Sequence, residues 1–481
     1  MSEMRNTYDV EEEHGGEQAR QRKCKCASSA AEFDRQNFTP KRKRFEASVP
    51  YLKESMSQGS ETLPAAGMMR LLLMWYLISV ATYQGAMSFG PKYNHRRHLP
   101  VVCHVNKYSY AHTAPYDYQT TDIPTHLCSH VNYAFADIEE NTWKVKDVPG
   151  NFRNFTALKS ESPRLKVMLS IGGWSDQSNL ISKMASSRKN RRKFLHDIFA
   201  TLKTYDFDGL DIFWLFPGFQ ERGGVPEDKG NFVRLVKEFR EAMVLKNATH
   251  LELTAAVPLS PFVLDNGYDI FQLNRYLDWM YVIAYELRGK WLSETDVHSP
   301  IVTRSIDPPD LRQLNVRDGM RDLFERGAFK RKVLMGIAFY GRSYKLRSAY
   351  NTGLHAPIDV NGNPRPGPIL NSSEIYSYTE ICRFLQNDSW TRRFDYEGEC
   401  PYAFSGDEWT GYDDEESIRY KMNLMRDEGY AGVMVMSSDM DDFRGACGKT
   451  NILLHAINDE LPLERDVIYP LESLQEDGDE Q

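Results

Sequence analysis

The chain has 481 residues, 41% of them hydrophobic and 12% aromatic, enough for a large core in one big domain or two ordinary ones. Its formal net charge is −8, and no strand- or helix-sized segment carries a sustained basic face, which excludes a nucleic-acid binder. The dense basic run KRKR at 41–44 reads as part of a solvated tail.

Residues 1–67 are rich in Glu, Lys, Arg, Gln and Ser and lack apolar periodicity, the composition of a disordered segment. A segment at 68–91 follows, uncharged from 71 on, with its strongly apolar part confined to 71–83. That is short for a membrane span of about 20 residues and suits the apolar region of a signal peptide. Ala86 and Ser88 provide a small-x-small cleavage pair. If the chain starts at Met1, the same segment acts as an uncleaved signal-anchor, with Arg70 and KRKR on the cytoplasmic side. Both readings carry the rest of the chain out of the cytosol, as a secreted protein or a type II membrane protein. Five of the seven Cys follow this segment: Cys103, Cys128, Cys382, Cys400 and Cys447. They allow up to two disulfides, and spacing alone does not assign them. Sequons at Asn154, Asn247, Asn371 and Asn387 are compatible with a glycoprotein.

From residue 98 onward, short apolar strands alternate with helical patterns. Strands are expected at 100–106, 127–135, 165–172, 207–214, 251–257, 278–285, 332–339 and 430–436. Near-continuous apolar runs such as LKVMLSIGG mark strands covered on both faces, as in a parallel sheet. Phe194, Ile198 and Leu202, and then Phe232, Leu235, Val236 and Phe239, repeat at helical spacing between them. Eight such units predict an α/β fold, a (β/α)8 TIM barrel over 98–344 and 413–460. A small α+β insertion domain is expected at 345–412, between strands 7 and 8, and a disordered acidic tail at 461–481. Barrel sites lie at the C-terminal strand ends, where SIGGW, DGLDIFWLFP, YELRG, FYGRS and VMSSDMDD fall.

In order along the chain, LCSHVNYAF, SIGGW, FDGLDIFW, MGIAFYGRS, YAFSGDEWTGYDDEES and GVMVMSSDMDDF resemble motifs of glycoside hydrolase family 18, the chitinases and chitinase-like lectins. The resemblance covers most of 98–460. It implies a substrate-assisted reaction: a Glu protonates the glycosidic oxygen while an Asp orients the substrate's own N-acetyl group. The family motif reads Asp-Gly-x-Asp-x-Asp-Trp-Glu-Tyr-Pro. Asp208, Gly209, Asp211, Trp214 and Pro217 match it, but Phe213 replaces the assisting Asp, Leu215 the acid and Phe216 the Tyr. Leucine cannot donate a proton, and phenylalanine cannot hold an acetamide or stabilise the charge that develops on it. Further departures follow by the same alignment. Glu286 stands for an Asp, Met436 for the Trp that floors the sugar ring, and Tyr108 for the first-strand aromatic.

The resemblance thus implies a catalytically inactive chitinase-like protein binding chitin or N-acetylglucosamine oligosaccharides. Its groove would use Tyr108, Trp174, Trp214, Tyr285, Glu286, Trp291, Tyr340, Arg342 and Met436, although Trp214 and Tyr340 suit a core equally well. One alternative is a hydrolase with a rearranged site using Glu286 or Asp439. The other is a secreted signalling or growth-factor-like scaffold without sugar binding. Asp208 and Asp211 are expected to be structural remnants, with Asp211 bonded to backbone or to Ser groups such as Ser170. The resemblance also implies the disulfides Cys103–Cys128 and Cys382–Cys447, leaving Cys400 odd or in competition for the second pair. It implies no metal or organic cofactor, and a monomer.

Overall fold

In the computed structural model, residues 99–461 are described, except 148–149, 176 and 388–389. The expectations for 1–67, for 68–91 and for nearly all of the acidic tail lie outside the described residues. Among the described residues no helix is long and apolar enough to cross a membrane.

The continuous apolar runs form buried strands, as their lack of alternation requires. They are β1 (Val101–Asn106), β2 (His130–Ile138), β3 (Lys166–Gly173), β4 (Gly209–Trp214), β5 (Glu252–Pro258), β6 (Trp279–Ile283) and β7 (Val333–Ala338). These seven and a later strand pair in parallel, and β1 pairs with β2 to close the barrel. Eight parallel strands with helices outside make a (β/α)8 barrel, as expected. Its helical layer includes α1 (Asn151–Thr156), α2 (Gln177–Ser186), α3 (Arg188–Tyr205), α4 (Asp228–Leu245) and α5 (Val316–Glu325). The predicted stripes on α3 and α4 face inward: Phe194, Ile198 and Leu202 on one, Phe232, Leu235, Val236 and Phe239 on the other, are all buried. Each such side chain contributes about 1.5–3 kcal/mol by leaving water.

The insertion begins five residues earlier than expected. Only Phe339 separates β7 from β8 (Tyr340–Lys345), which leaves the barrel for a five-stranded antiparallel sheet. The others in that sheet are β9 (Ile375–Ser377), β10 (Thr391–Asp395), β11 (Cys400–Ser405) and β12 (Glu408–Gly411). Helix α6 (Tyr378–Asn387) belongs to this insertion. The chain returns through α7 (Glu415–Glu428), the eighth barrel strand β13 (Gly432–Met436) and α8 (Ile452–Asp459). Asp414 caps α7 by accepting from Glu416 N and Ser417 N, and Gly429 ends it in the left-handed conformation at φ 71°. Cys103–Cys128 and Cys382–Cys447 are bonded, and Cys400 is a buried free thiol whose ionisation burial opposes. All four sequon asparagines are exposed.

Candidate sugar-binding site

Successive side chains of a strand point to opposite faces, so Asp211, Phe213 and Leu215 share one side of the β4 line and Trp214 takes the other. Inside the barrel Asp211 is fully buried and well satisfied. It accepts from Ser170 Oγ at 2.7 Å and Thr254 Oγ1 at 2.9 Å, and His104 Nε2 lies 3.3 Å away. The Ser170 bond is the one expected, and a buried carboxylate requires such partners. Asp208 sits at the opposite, N-terminal end of the strand. It accepts from Val167 N at 2.7 Å and Lys159 Nζ at 3.3 Å, far from any sugar chemistry and in keeping with a scaffold role.

Two residues on from Asp211, towards the C-terminal end of β4, Phe213 is 2% exposed. Its ring meets His104 edge-on at 5.4 Å and Phe135 at 5.1 Å. Leu215 is 7% exposed. Met436, at the end of β13, is half-buried. The two positions that the sequence resemblance aligns with the family's carboxyl groups are therefore buried hydrocarbon. The peptides Ala134–Phe135, Leu215–Phe216 and Met436–Ser437, all at this rim, are cis.

The aromatic residues expected in the groove divide into two sets. Trp174, Trp291 and Tyr108 are 68%, 60% and 57% exposed, with ring faces open to solvent or to a ligand. Trp291 lies against Gly289, where a Cβ would come within 2.2 Å of its ring, so only glycine allows that seat. Trp214 is a correction: it is fully buried on the helix side. Its indole N–H donates to Ser178 Oγ at 3.2 Å and its ring packs on Phe232 at 5.5 Å, so no face reaches the groove. Tyr285 and Tyr340 are nearly buried against each other, ring centres 6.2 Å apart, and present no open face for stacking.

Glu286 and Arg342 are joined at 3.3 Å, and the Tyr340 hydroxyl donates to the other Glu286 oxygen. Burial raises the Tyr340 phenol well above its ordinary value, which keeps it a neutral donor. Glu286 holds φ 52°, a left-handed conformation uncommon outside glycine, and its N–H donates to His298 Nδ1 at 3.3 Å. Its carboxylate is thus committed to fastening β8 to the loop after β6. Asp439 has its carboxyl raised by burial, as an acid requires, but it is buried and accepts from Asn106 N at 3.1 Å. Both carboxyl groups are thus engaged in contacts within the protein.

Sequence reasoning did not single out Arg222. Its guanidinium lies 4.1 Å from the centre of the Trp174 ring, its Nε donates to Leu215 O at 2.9 Å and its Nη2 to Ser175 O at 2.6 Å. It backs one face of Trp174 by a cation–π contact and leaves the other available. No motif marks it, since it lies in a single 3-10 turn, Gln220–Arg222, after Pro217. His104 and Phe135 were legible only as members of the β1 and β2 runs.

Barrel, insertion and aromatic rim together define a glycosidase-type scaffold whose polar layer survives beneath an apolar plug. The chain belongs to the glycosyl hydrolases family 18, whose family model matches residues 101–441. It is 39% identical to an endochitinase of Manduca sexta over 369 residues, 74% of this chain and 66% of that protein. The chain thus spans slightly under two thirds of that relative's length. Among solved structures it resembles human YKL-39, described as a pseudo-chitinase with retained chitooligosaccharide-binding properties (TM-score 0.70, 31% identity, covering 75% of this chain and 99% of that one). It is similarly close to a Glu-to-Leu mutant of catalytic domain 2 of the Ostrinia furnacalis Group II chitinase, in complex with penta-N-acetylchitooctaose (TM-score 0.70, 32% identity, 75% and 95%).

Proposed function

We propose that this protein is a non-hydrolytic chitinase-like lectin, binding N-acetylglucosamine oligosaccharides across the C-terminal face of its barrel. The observation that carries this reading is the pairing of a closed centre with an open rim. Phe213 and Leu215 are buried apolar groups where acid and acetamide holder would act, while Tyr108, Trp174 and Trp291 stay exposed. Pyranose rings stack on such faces through their C–H edges. The YKL-39 likeness supports sugar binding without turnover, and the sugar-bound Glu-to-Leu chitinase mutant indicates that a leucine exchange is compatible with an occupied site in that relative. The two disulfides support a location outside the cytosol.

A second reading, a signalling scaffold that binds no sugar, is favoured by the same plug: Phe213 and Met436 remove the central subsite. Titration with the N-acetylglucosamine tetramer and hexamer, followed by Trp fluorescence, decides between them. The lectin reading expects saturation that tightens with length. It also expects about 3–10-fold weaker binding for Trp174→Ala, the value of one aromatic contact. A flat titration up to millimolar sugar would leave the scaffold reading standing, and a saturating Trp174→Ala curve that matches the wild type would remove Trp174 from the binding surface.

A further inference from the structure

A second site lies beside the barrel mouth, separate from the aromatic rim. A cavity of about 230 Å³ opens between the loop after β1, the segment 118–123 with its 3-10 turn Thr120–Asp122, and α1. Its walls carry neutral polar groups: Ser109, Gln119, Thr120, Asn151 and Asn154. Tyr110, half exposed, adds an aromatic side. Lys107 also borders it, but its ammonium is paired with Asp137 at 2.5 Å, so the cavity offers no unpaired cation.

Tyr133 lines the cavity from β2 and is 4% exposed. Its ring is fixed edge-on between Phe152 at 5.1 Å and Phe155 at 5.3 Å. Its hydroxyl is buried without an aligned hydrogen-bond partner; Asn151 approaches it but does not complete the geometry. Burial pushes this phenol up to about 12, so it remains a neutral O–H donor. A buried hydroxyl left without a partner is unfavourable, and a bound hydroxyl or amide oxygen would remove that cost. The volume lies below the roughly 300–1,000 Å³ of drug-sized sites and suits one ring, not a chain.

We propose that this cavity seats a single N-acetylglucosamine ring, with the Tyr133 hydroxyl as its buried anchor and the Asn and Gln amides meeting the N-acetyl group. Asn154 on the wall opens the sequon Asn-Phe-Thr and is exposed, and an Asn-linked glycan begins with this same sugar. The ring is therefore supplied either by the chain's own glycan or by a free oligosaccharide. The site does not depend on the lectin reading, because Trp174, Trp291 and Leu215 do not line it.

The test uses the full chain from a glycosylating host, with Trp174→Ala throughout to weaken binding at the rim. N-acetylglucosamine and N,N′-diacetylchitobiose are the probes, with saturation-transfer NMR as the readout. The expectation is saturable binding in the Asn154→Gln form, weakened about 5-fold by adding Tyr133→Phe, which deletes one hydroxyl and keeps the ring packing. Thermal melting checks that both forms are folded. If the glycan is the natural occupant, the chain with Asn154 intact binds less free sugar than Asn154→Gln; if free sugar is the occupant, the two bind alike. Equal affinity with and without the Tyr133 hydroxyl, or no saturable binding in the Asn154→Gln form, would overturn the proposal.

Discussion

Leu215→Glu is expected to leave hydrolysis of a fluorogenic chitooligosaccharide at the rate of the heat-killed control. A positioned general acid supplies about 10²–10⁴-fold, but only when the rest of the reaction is in place. Here the acetamide that would attack has no carboxylate to orient it, because Phe213 is packed against His104 and Phe135. The new carboxyl also enters a position only 7% exposed, so the variant should lose about 1–3 kcal/mol of stability. Turnover well above the control from this single change would mean that the rest of the site is intact despite the packing of Phe213 on His104 and Phe135.

Arg304→Met is expected to destabilise the protein by about 3–5 kcal/mol, read as a lower urea midpoint. The loop between β6 and α5 runs some thirty residues with little regular structure, and it carries Glu286 and Trp291. A loop this long needs fastening. Two buried arginines supply it. Arg304 bonds Asp296 at 2.8 Å, Asp307 at 3.0 Å through Nε, and Asp395 of β10 at 3.0 Å; Arg288 bonds Asp296 at 2.9 Å and Asp307 at 2.6 Å. Removing one guanidinium leaves buried carboxylates undercompensated, which is the costly way to break such a network. Burial pushes Asp307 up, but hydrogen bonds from Arg288 and Arg304 outweigh it and hold its carboxyl well below the usual range. A lowered folded value contributes stability above the unfolded value of about 3.9, and that contribution disappears as pH falls towards the folded one. Wild type should therefore lose stability more steeply below about pH 4 than the variant does. An unchanged midpoint would mean that the network contributes nothing.

The barrel was legible because its strands are apolar on both faces, so β1 to β7 and β13 fall within a few residues of their expected places. The start of the insertion was less legible, because β8 follows β7 after Phe339 alone, the apolar run continues through Tyr340, and Gly341, Arg342 and Ser343 read as the polar end of the barrel strand, not as a new strand. The same two-sided apolarity hid the direction of Trp214, since composition does not say which side of a doubly covered strand faces the mouth. Parity would have said so: Asp211 points inward, hence Phe213 and Leu215 do, and Trp214 does not. The buried bond from Asp211 to Ser170 was readable for the related reason that a carboxylate in a barrel interior must find donors. Arg222 behind Trp174, and the Arg288–Arg304 network, join residues of irregular segments through contacts that no local pattern encodes.

The central claim is that the protein holds N-acetylglucosamine oligomers without cutting them, and native mass spectrometry of the full chain with the hexamer over a day tests both halves at once. The account predicts a complex whose bound mass stays that of intact hexamer, with no shorter sugars above a heat-killed control. Accumulating dimer, trimer or tetramer, or no complex at millimolar hexamer, would contradict it.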